Sequence, residues 1–141
     1  MKLKNKVAII TGGGSGIGRA VAIRYAQEGA RCIVADIDGK SADNTSLEIK
    51  NLEGEAISIQ MDVSQQKEIR KTLDLCINHF SRVDILFNNA AIFEMAPLLD
   101  SSRESFNRIF EINVKGMFFM MQATAQKMRS EERRVGKECR S

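Results

Sequence analysis

Thr11-Gly-Gly-Gly-Ser-Gly-Ile-Gly18 and Asp36 are the residues of this 141-residue chain whose types and spacing suit them to chemistry. Glycine lacks a Cβ and takes φ > 0 readily, so a backbone rich in it turns sharply and approaches a phosphate closely. A helix starting at Gly16 would point its unpaired N–H groups, with about half a positive charge, at that anion. The apolar run Val7-Ala-Ile-Ile10 comes directly before, which supplies the strand–turn–helix order that a dinucleotide pyrophosphate site needs. Gly12, Ser15, Gly16, Ile17 and Gly18 are therefore candidate cofactor contacts.

Asp36 lies twenty positions after Gly16, the spacing at which an acid meets the adenosine ribose. A carboxylate accepts hydrogen bonds from both ribose hydroxyls. Facing a 2′-phosphate instead, it meets like charge at about 4 Å, a repulsion of roughly 4 kcal/mol at an effective dielectric of 20. No Arg or Lys occupies Gly14, Ser15 or Ile37, where a phosphate clamp would sit, so NAD is favoured over NADP. The plainer alternative for Asp36 is a strand-end turn residue in Asp36-Ile-Asp-Gly39.

Asp62-Val63 could bracket the adenine, with the carboxylate accepting from its amine, or Asp62 could help cap the helix that follows. Asn88-Asn89-Ala90-Ala91 offers amides that bond backbone across a cleft, Asn89 among them, and small residues that let a ligand lie close. Simple turn chemistry is the alternative there.

The elements that must position these residues alternate. Runs rich in Val and Ile predict strands at 6–11, 31–36, 55–60 and 83–88, and helical spacing fills 16–28, 40–52 and 64–80. Near-continuous apolar strands imply burial on both faces, as in a parallel sheet. Gly29 and Gly54 read as left-handed C-caps, Ser64 as the N-cap of the third helix, and Ser101 with Glu104 as a capping box. A fourth helix then carries Phe106, Ile109, Phe110, Val114 and Met117. The fold class is α/β, a Rossmann-type doubly wound parallel sheet, with the ligand at the carboxyl ends of the strands.

Composition sets bounds on function. A hydrophobic fraction of 43% and a charged fraction of 28% are those of an ordinary globular protein. Residues 129–141 carry five Lys/Arg against three Asp/Glu, which leaves 16 basic and 15 acidic residues elsewhere. The net charge of +3 is thus largely the tail's, and neither a nucleic-acid patch nor a membrane surface is expected. Cys32, Cys76 and Cys139 show no metal-ligand spacing, so no metal site is expected and a reducing cytoplasm is. His79, the one histidine, sits near a helix end beside Phe80, where capping or solvent contact explains it.

Together these motifs resemble the classical short-chain dehydrogenase/reductase family over residues 3 to about 128. Thr11-Gly12-x-x-x-Gly16-x-Gly18 is similar to that family's cofactor turn, Asp62 to its adenine contact, and Asn88–Ala91 to its Asn-Asn-Ala-Gly motif with Ala91 in place of glycine. Asn113, in Glu111-Ile-Asn-Val-Lys-Gly116, resembles the asparagine of the catalytic tetrad, which distorts its helix and holds a water in a proton relay. A polar residue satisfied inside a helix is its plainer reading. The segments 83–97, 103–106 and 120–122 resemble the NAD-dependent sorbitol (L-iditol 2-) dehydrogenases, which implies oxidation of a polyol secondary alcohol to a ketone. Alternatives are a reductase of 3-oxoacyl or diketone/diol substrates, and a dinucleotide-binding module without catalysis. Lack of Gly-Lys-Ser/Thr after the turn argues against a nucleotide triphosphatase.

The resemblance also implies a Ser and a Tyr-x-x-x-Lys as the reacting groups, and a homo-tetramer built through helices that include 106–128. The chain's one tyrosine is Tyr25, and the residue four on is Gly29. Residues 1–128 thus read as an incomplete NAD-binding domain, truncated after about four strands and unable to act on its alcohol or ketone substrate. The charged stretch 129–141 resembles the translation of a sequencing-adaptor oligonucleotide and is expected to be non-native. A fourth strand left at the sheet edge would invite aggregation.

Overall fold

A computed structural model describes residues 1–138; Cys139 lies outside the described residues. Four parallel strands, β1 (Val7–Thr11), β2 (Arg31–Asp36), β3 (Glu55–Gln60) and β4 (Ile85–Phe87), form one sheet in the order β3-β2-β1-β4. The helices are α1 (Gly16–Gln27), α2 (Gly39–Asn51), α3 (Gln66–Phe80), α4 (Arg103–Phe110) and α5 (Met117–Glu138). A 3-10 turn at Leu98–Asp100 precedes α4, and a π-helical stretch, Glu111–Gly116, joins α4 to α5.

The strand period of two assigns the core to two faces. Val7, Ile9, Ile33 and Ala35 pack with Ile69, Leu73, Cys76 and Phe80 of α3 and Met120 of α5. Ala8, Ile10, Cys32 and Val34 turn the other way, onto Ala22 of α1 and Ala42 and Ile49 of α2. The sheet is doubly wound, and its two central strands are buried on both sides. No helix among the described residues is long and apolar enough to cross a membrane.

Several local expectations shift. Both α1 and α2 end in the same double-bonded turn. In α1, Gly29 at φ +93 donates to Ala26 O while Ala30 donates to Tyr25 O. In α2 the left-handed residue is Glu53, at φ +62, and not Gly54. Gly54 is there for space: a Cβ would lie 2.7 Å from Ile49 Cγ2 and 3.1 Å from Ile49 O. Ser64 does not cap α3, because its hydroxyl is turned back onto Asp62 Oδ1 at 2.7 Å and the helix starts two residues later. The cap of α4 is Ser102, which accepts from the Ser105 N–H, while Ser101 donates to Pro97 O.

β4 is shorter than the apolar run suggests. Val83 is 3% exposed in the core, and Asp84 is spent on β1. The Asp84 carboxylate accepts from the Val7 N–H at 2.9 Å and from the Arg82 guanidinium, and the Asp84 N–H donates to Val7 O. Burial works to raise the Asp84 carboxyl, but the Arg82 hydrogen bond, the Val7 N–H and the charges of Arg82 and Lys6 outweigh it and hold it below the ordinary carboxylate range. Burial pushes the thiols of Cys32 and Cys76 up to about 12, which leaves both inert. β4 pairs with β1 and is an edge strand of the described sheet.

Candidate functional site

At the carboxyl ends of β1, β2 and β4 a cleft of about 350 Å³ opens. Gly12, Ser15, Gly16, Ile17, Asp36, Asp62, Val63 and Asn89 line it, with Ile37, Met61, Ala90, Ala91, Ile92 and Ile112. Eight of the nine expected cofactor contacts therefore meet in one place; Gly18 lies beneath it.

The glycines of the turn act differently. Gly12 takes φ +63, and a Cβ there would lie 2.8 Å from Asn89 Nδ2. Gly16 takes φ +52 with nothing within 4 Å of a built Cβ, so open space stands over the helix start. At Gly18 a Cβ would sit 2.1 Å from Gly12 O, so the turn can fold onto α1 only over a bare Cα.

The start of α1 has no side-chain cap and no acid in its first turn. By contrast α2 is capped by Asp38, α4 by Ser102, and α3 carries Glu68 in its first turn. The N–H groups at the head of α1 thus meet neither a side-chain cap nor an acid of the first turn, unlike those of the other three.

Asp36 is held at both oxygens: Oδ2 accepts from the Gly14 N–H at 2.8 Å and Oδ1 from the Asp38 N–H at 3.0 Å. Each oxygen keeps a second lone pair. Asp62 does not cap α3, which has no side-chain cap; its Oδ1 accepts instead from the N–H and hydroxyl of Ser64, in the loop before the helix. It also faces the cleft, so the adenine role is compatible with that bond.

The far wall is tied together by hydroxyl and amide groups. The Thr11 hydroxyl accepts from the N–H groups of Asn89 and Ala90, each at 2.9 Å, which joins the tips of β1 and β4. Asn89 Nδ2 reaches the carbonyls of Thr11 and Gly12 at 3.3 Å. Asn88 donates to Met117 O, while its buried Oδ1 has no partner. Asn113 lies in the π-helical stretch and clasps Ile92 by both backbone groups, accepting from its N–H at 2.8 Å and donating to its carbonyl at 2.7 Å. Asn113 does not line the cleft itself; Ile112 and Ile92 do.

Three contributors escaped sequence reasoning. Thr11 was legible as the first residue of the glycine motif, but not its role in tying β1 to β4 through its hydroxyl. Ile92 is recognisable only once Asn113 is seen to hold it. Gly116 packs the π-helical stretch onto Val63, where a Cβ would come within 2.9 Å of Cγ1. Tyr25 lies away from the cleft, edge-on to Phe87 at 6.3 Å. Among the described residues no group of three His, Cys, Asp or Glu is placed to hold a metal ion.

Comparison with known proteins gives concordant results. The family described as short chain dehydrogenase matches residues 6–137. The chain is 44% identical over 128 residues to a sorbitol dehydrogenase of Cereibacter sphaeroides, covering 91% of this chain and 49% of that protein. It is 42% identical to a galactitol 2-dehydrogenase of Agrobacterium fabrum, with the same coverage. A solved 7α-hydroxysteroid dehydrogenase, complexed with NADH and 7-oxo glycochenodeoxycholic acid, superposes with a TM-score of 0.87 at 36% identity, over 92% of this chain and 50% of that one. The chain spans about half the length of the curated relatives it matches.

Proposed function

The chain belongs to the short-chain dehydrogenase family, and on that premise we propose that it forms the cofactor-binding part of an NAD-dependent oxidoreductase that oxidises a polyol secondary alcohol, in the manner of sorbitol to fructose. The observation that carries the reading is the uncapped, acid-free head of α1, opening between Gly12, Gly16 and Asp36 onto one cleft.

A dinucleotide fits the residues present. Gly16, where a built Cβ meets nothing, and Ile17 would hold its pyrophosphate, and Asp36 would accept from its ribose hydroxyls. Asp62 and Val63 flank the adenine, and Asn89 with Ala90 and Ala91 walls the other end. Among the described residues no Lys or Arg lines the cleft, so a 2′-phosphate would meet the Asp36 carboxylate with no counter-charge from them. That supports NAD over NADP. When bound, the nicotinamide supplies the hydride acceptor.

One bond at Oδ1 and one at Nδ2 join Asn113 to the Ile92 backbone, so Asn113 serves the complete enzyme at least by ordering the cleft wall, with one amide hydrogen and one oxygen lone pair left over for a proton relay. The polyol assignment is supported by the sorbitol and galactitol dehydrogenases among the relatives. Residues 1–128 make up this cofactor domain, the tail from Arg129 takes no part in it, and we place the protein in the cytoplasm, as a tetramer in its complete form.

Calorimetric titration of the 141-residue chain with NADH and NADPH tests the cofactor reading. NADH should bind at least tenfold more tightly, and the preference should collapse in Asp36→Asn; equal affinity in the unmodified chain would refute it. With no Tyr-x-x-x-Lys in the sequence, the same chain should give no NAD reduction with sorbitol. Measurable turnover would overturn that expectation.

A further inference from the structure

Gly14 is one of the free positions of the glycine motif, and it touches the cleft's acid more closely than any motif glycine does. Its N–H donates to Asp36 Oδ2 at 2.8 Å. A Cβ built on it would stand 2.9 Å from that same oxygen, 2.7 Å from Ser41 Cβ and 3.0 Å from the Ala42 nitrogen. Its φ is not in the left-handed region, so a larger residue is opposed there by space and not by backbone conformation. Asp38 closes the arrangement: its N–H holds the other oxygen of Asp36, and its carboxylate caps α2 through the Ser41 N–H.

We propose that Gly14 is a positioning residue for Asp36: its bare Cα lets the glycine turn press on the first turn of α2, and its N–H then fixes the carboxylate with free lone pairs toward the ribose before any ligand arrives. The proposal rests on the reading of Asp36 as ribose acceptor. Two backbone donors on two different oxygens leave the carboxylate one orientation. A ligand that meets it does not lose affinity to ordering that side chain. Any side chain at 14 drives the carboxylate off the Gly14 N–H or lifts α2.

The test compares binding of ADP-ribose and 2′-deoxy-ADP-ribose to the 141-residue chain by calorimetry. A hydrogen bond to a charged acceptor predicts that the unmodified chain favours ADP-ribose by about tenfold or more. In Gly14→Ala that ratio should fall to about twofold or less, since a carboxylate held by the Asp38 N–H alone can turn away from the hydroxyl. Gly13→Ala is the control for damage to the turn. Its Cβ would strike Val34 Cγ1 at 2.8 Å and not Asp36, so it should keep the unmodified ratio even if it melts earlier.

Should Gly14→Ala not fold, Gly14→Ala with Ser41→Gly removes the Ser41 Cβ contact, leaves the carboxylate contact and is read by the same ratio. Amide exchange in the unmodified, ligand-free chain gives an independent reading: the Gly14 N–H should be protected. A full tenfold ratio in Gly14→Ala, or rapid exchange at Gly14, would overturn the positioning role while leaving the ribose reading intact. A ratio near one in the unmodified chain would instead remove the ribose reading, and the proposal with it.

Discussion

The stretch from β1 to β3 and the stretch from Ala91 to α5 obey opposite rules. In the first, Val7, Ile9, Ile10, Cys32, Ile33 and Val34 are wholly buried, and Gly12, Gly13, Gly14, Gly18 and Gly54 stand where no Cβ would fit. In the second, Phe93, Met95, Leu98 and Leu99 are each more than four-fifths exposed, and Phe106, Phe110, Val114, Met117, Phe118 and Met121 line solvent along α4, the π-helical stretch and α5. Apolar content is similar in kind, but in the second region only the inward face, with Met120, Phe119 and Ala123, has found partners. Two-sided burial makes a sheet and its ligand cleft self-sufficient, whereas an apolar helix face does nothing for stability until something covers it.

Substitutions should separate the two regions, the largest effect coming from the buried one. Ile33→Ala, at the centre of β2 and fully enclosed, should cost about 2–5 kcal/mol in chemical denaturation. A loss under about 1 kcal/mol would mean that the core is no better packed than the exposed half. Gly18→Ala should follow, at about 1–3 kcal/mol for forcing a Cβ onto a backbone oxygen, with NADH binding lost in the same titration.

Asp84→Asn should cost about 1–2 kcal/mol at neutral pH, through weakened bonds to Arg82 and Val7. The folded carboxyl titrates below the unfolded one, so its contribution is complete above about pH 4 and is lost as pH falls through the lower folded value. Denaturation curves of the two proteins should therefore converge in acid. Curves that stay parallel down to pH 2 would exclude that ionisation as the source. Leu99→Ser should be smallest, within about 0.5 kcal/mol, because no contact is lost. Light scattering should show less association in the variant, and unchanged scattering would mean that the exposed side chain is not what self-associates.

The same contrast explains what the sequence made legible. β2 falls where its apolar run ends, since burial on both faces leaves an unbroken signal; β3, at the sheet edge and only partly buried, shows instead an alternating pattern. Caps were harder: Ser101 and Ser102 are adjacent and chemically alike, and only the turn at Pro97 decides which one is free to bond Ser105. Gly54 misled because a glycine needed for space looks the same in a sequence as one needed for φ. The π-helical stretch was marked only by the resemblance of Asn113 to an asparagine that distorts its helix, and not by any break in periodicity. Its motive is the clasp of Asn113 on Ile92, a contact across 21 residues that no periodicity encodes. The cleft residues were legible from spacing alone, while the bonds holding them, at Thr11 and Gly14, depend on which strand ends become neighbours.

Thr11 also has a history in time. Its hydroxyl waits for amides 78 and 79 residues downstream, and β1 pairs on that side only with β4. As the chain leaves the ribosome at roughly 5–20 residues per second, β1, β2 and β3 can pair in turn while the other edge of β1 stands open for seconds. Contacts of long sequence separation form late. The wall of the cleft is therefore the last part of this four-stranded sheet to close, and the nascent chain acquires its cleft only when β4 docks.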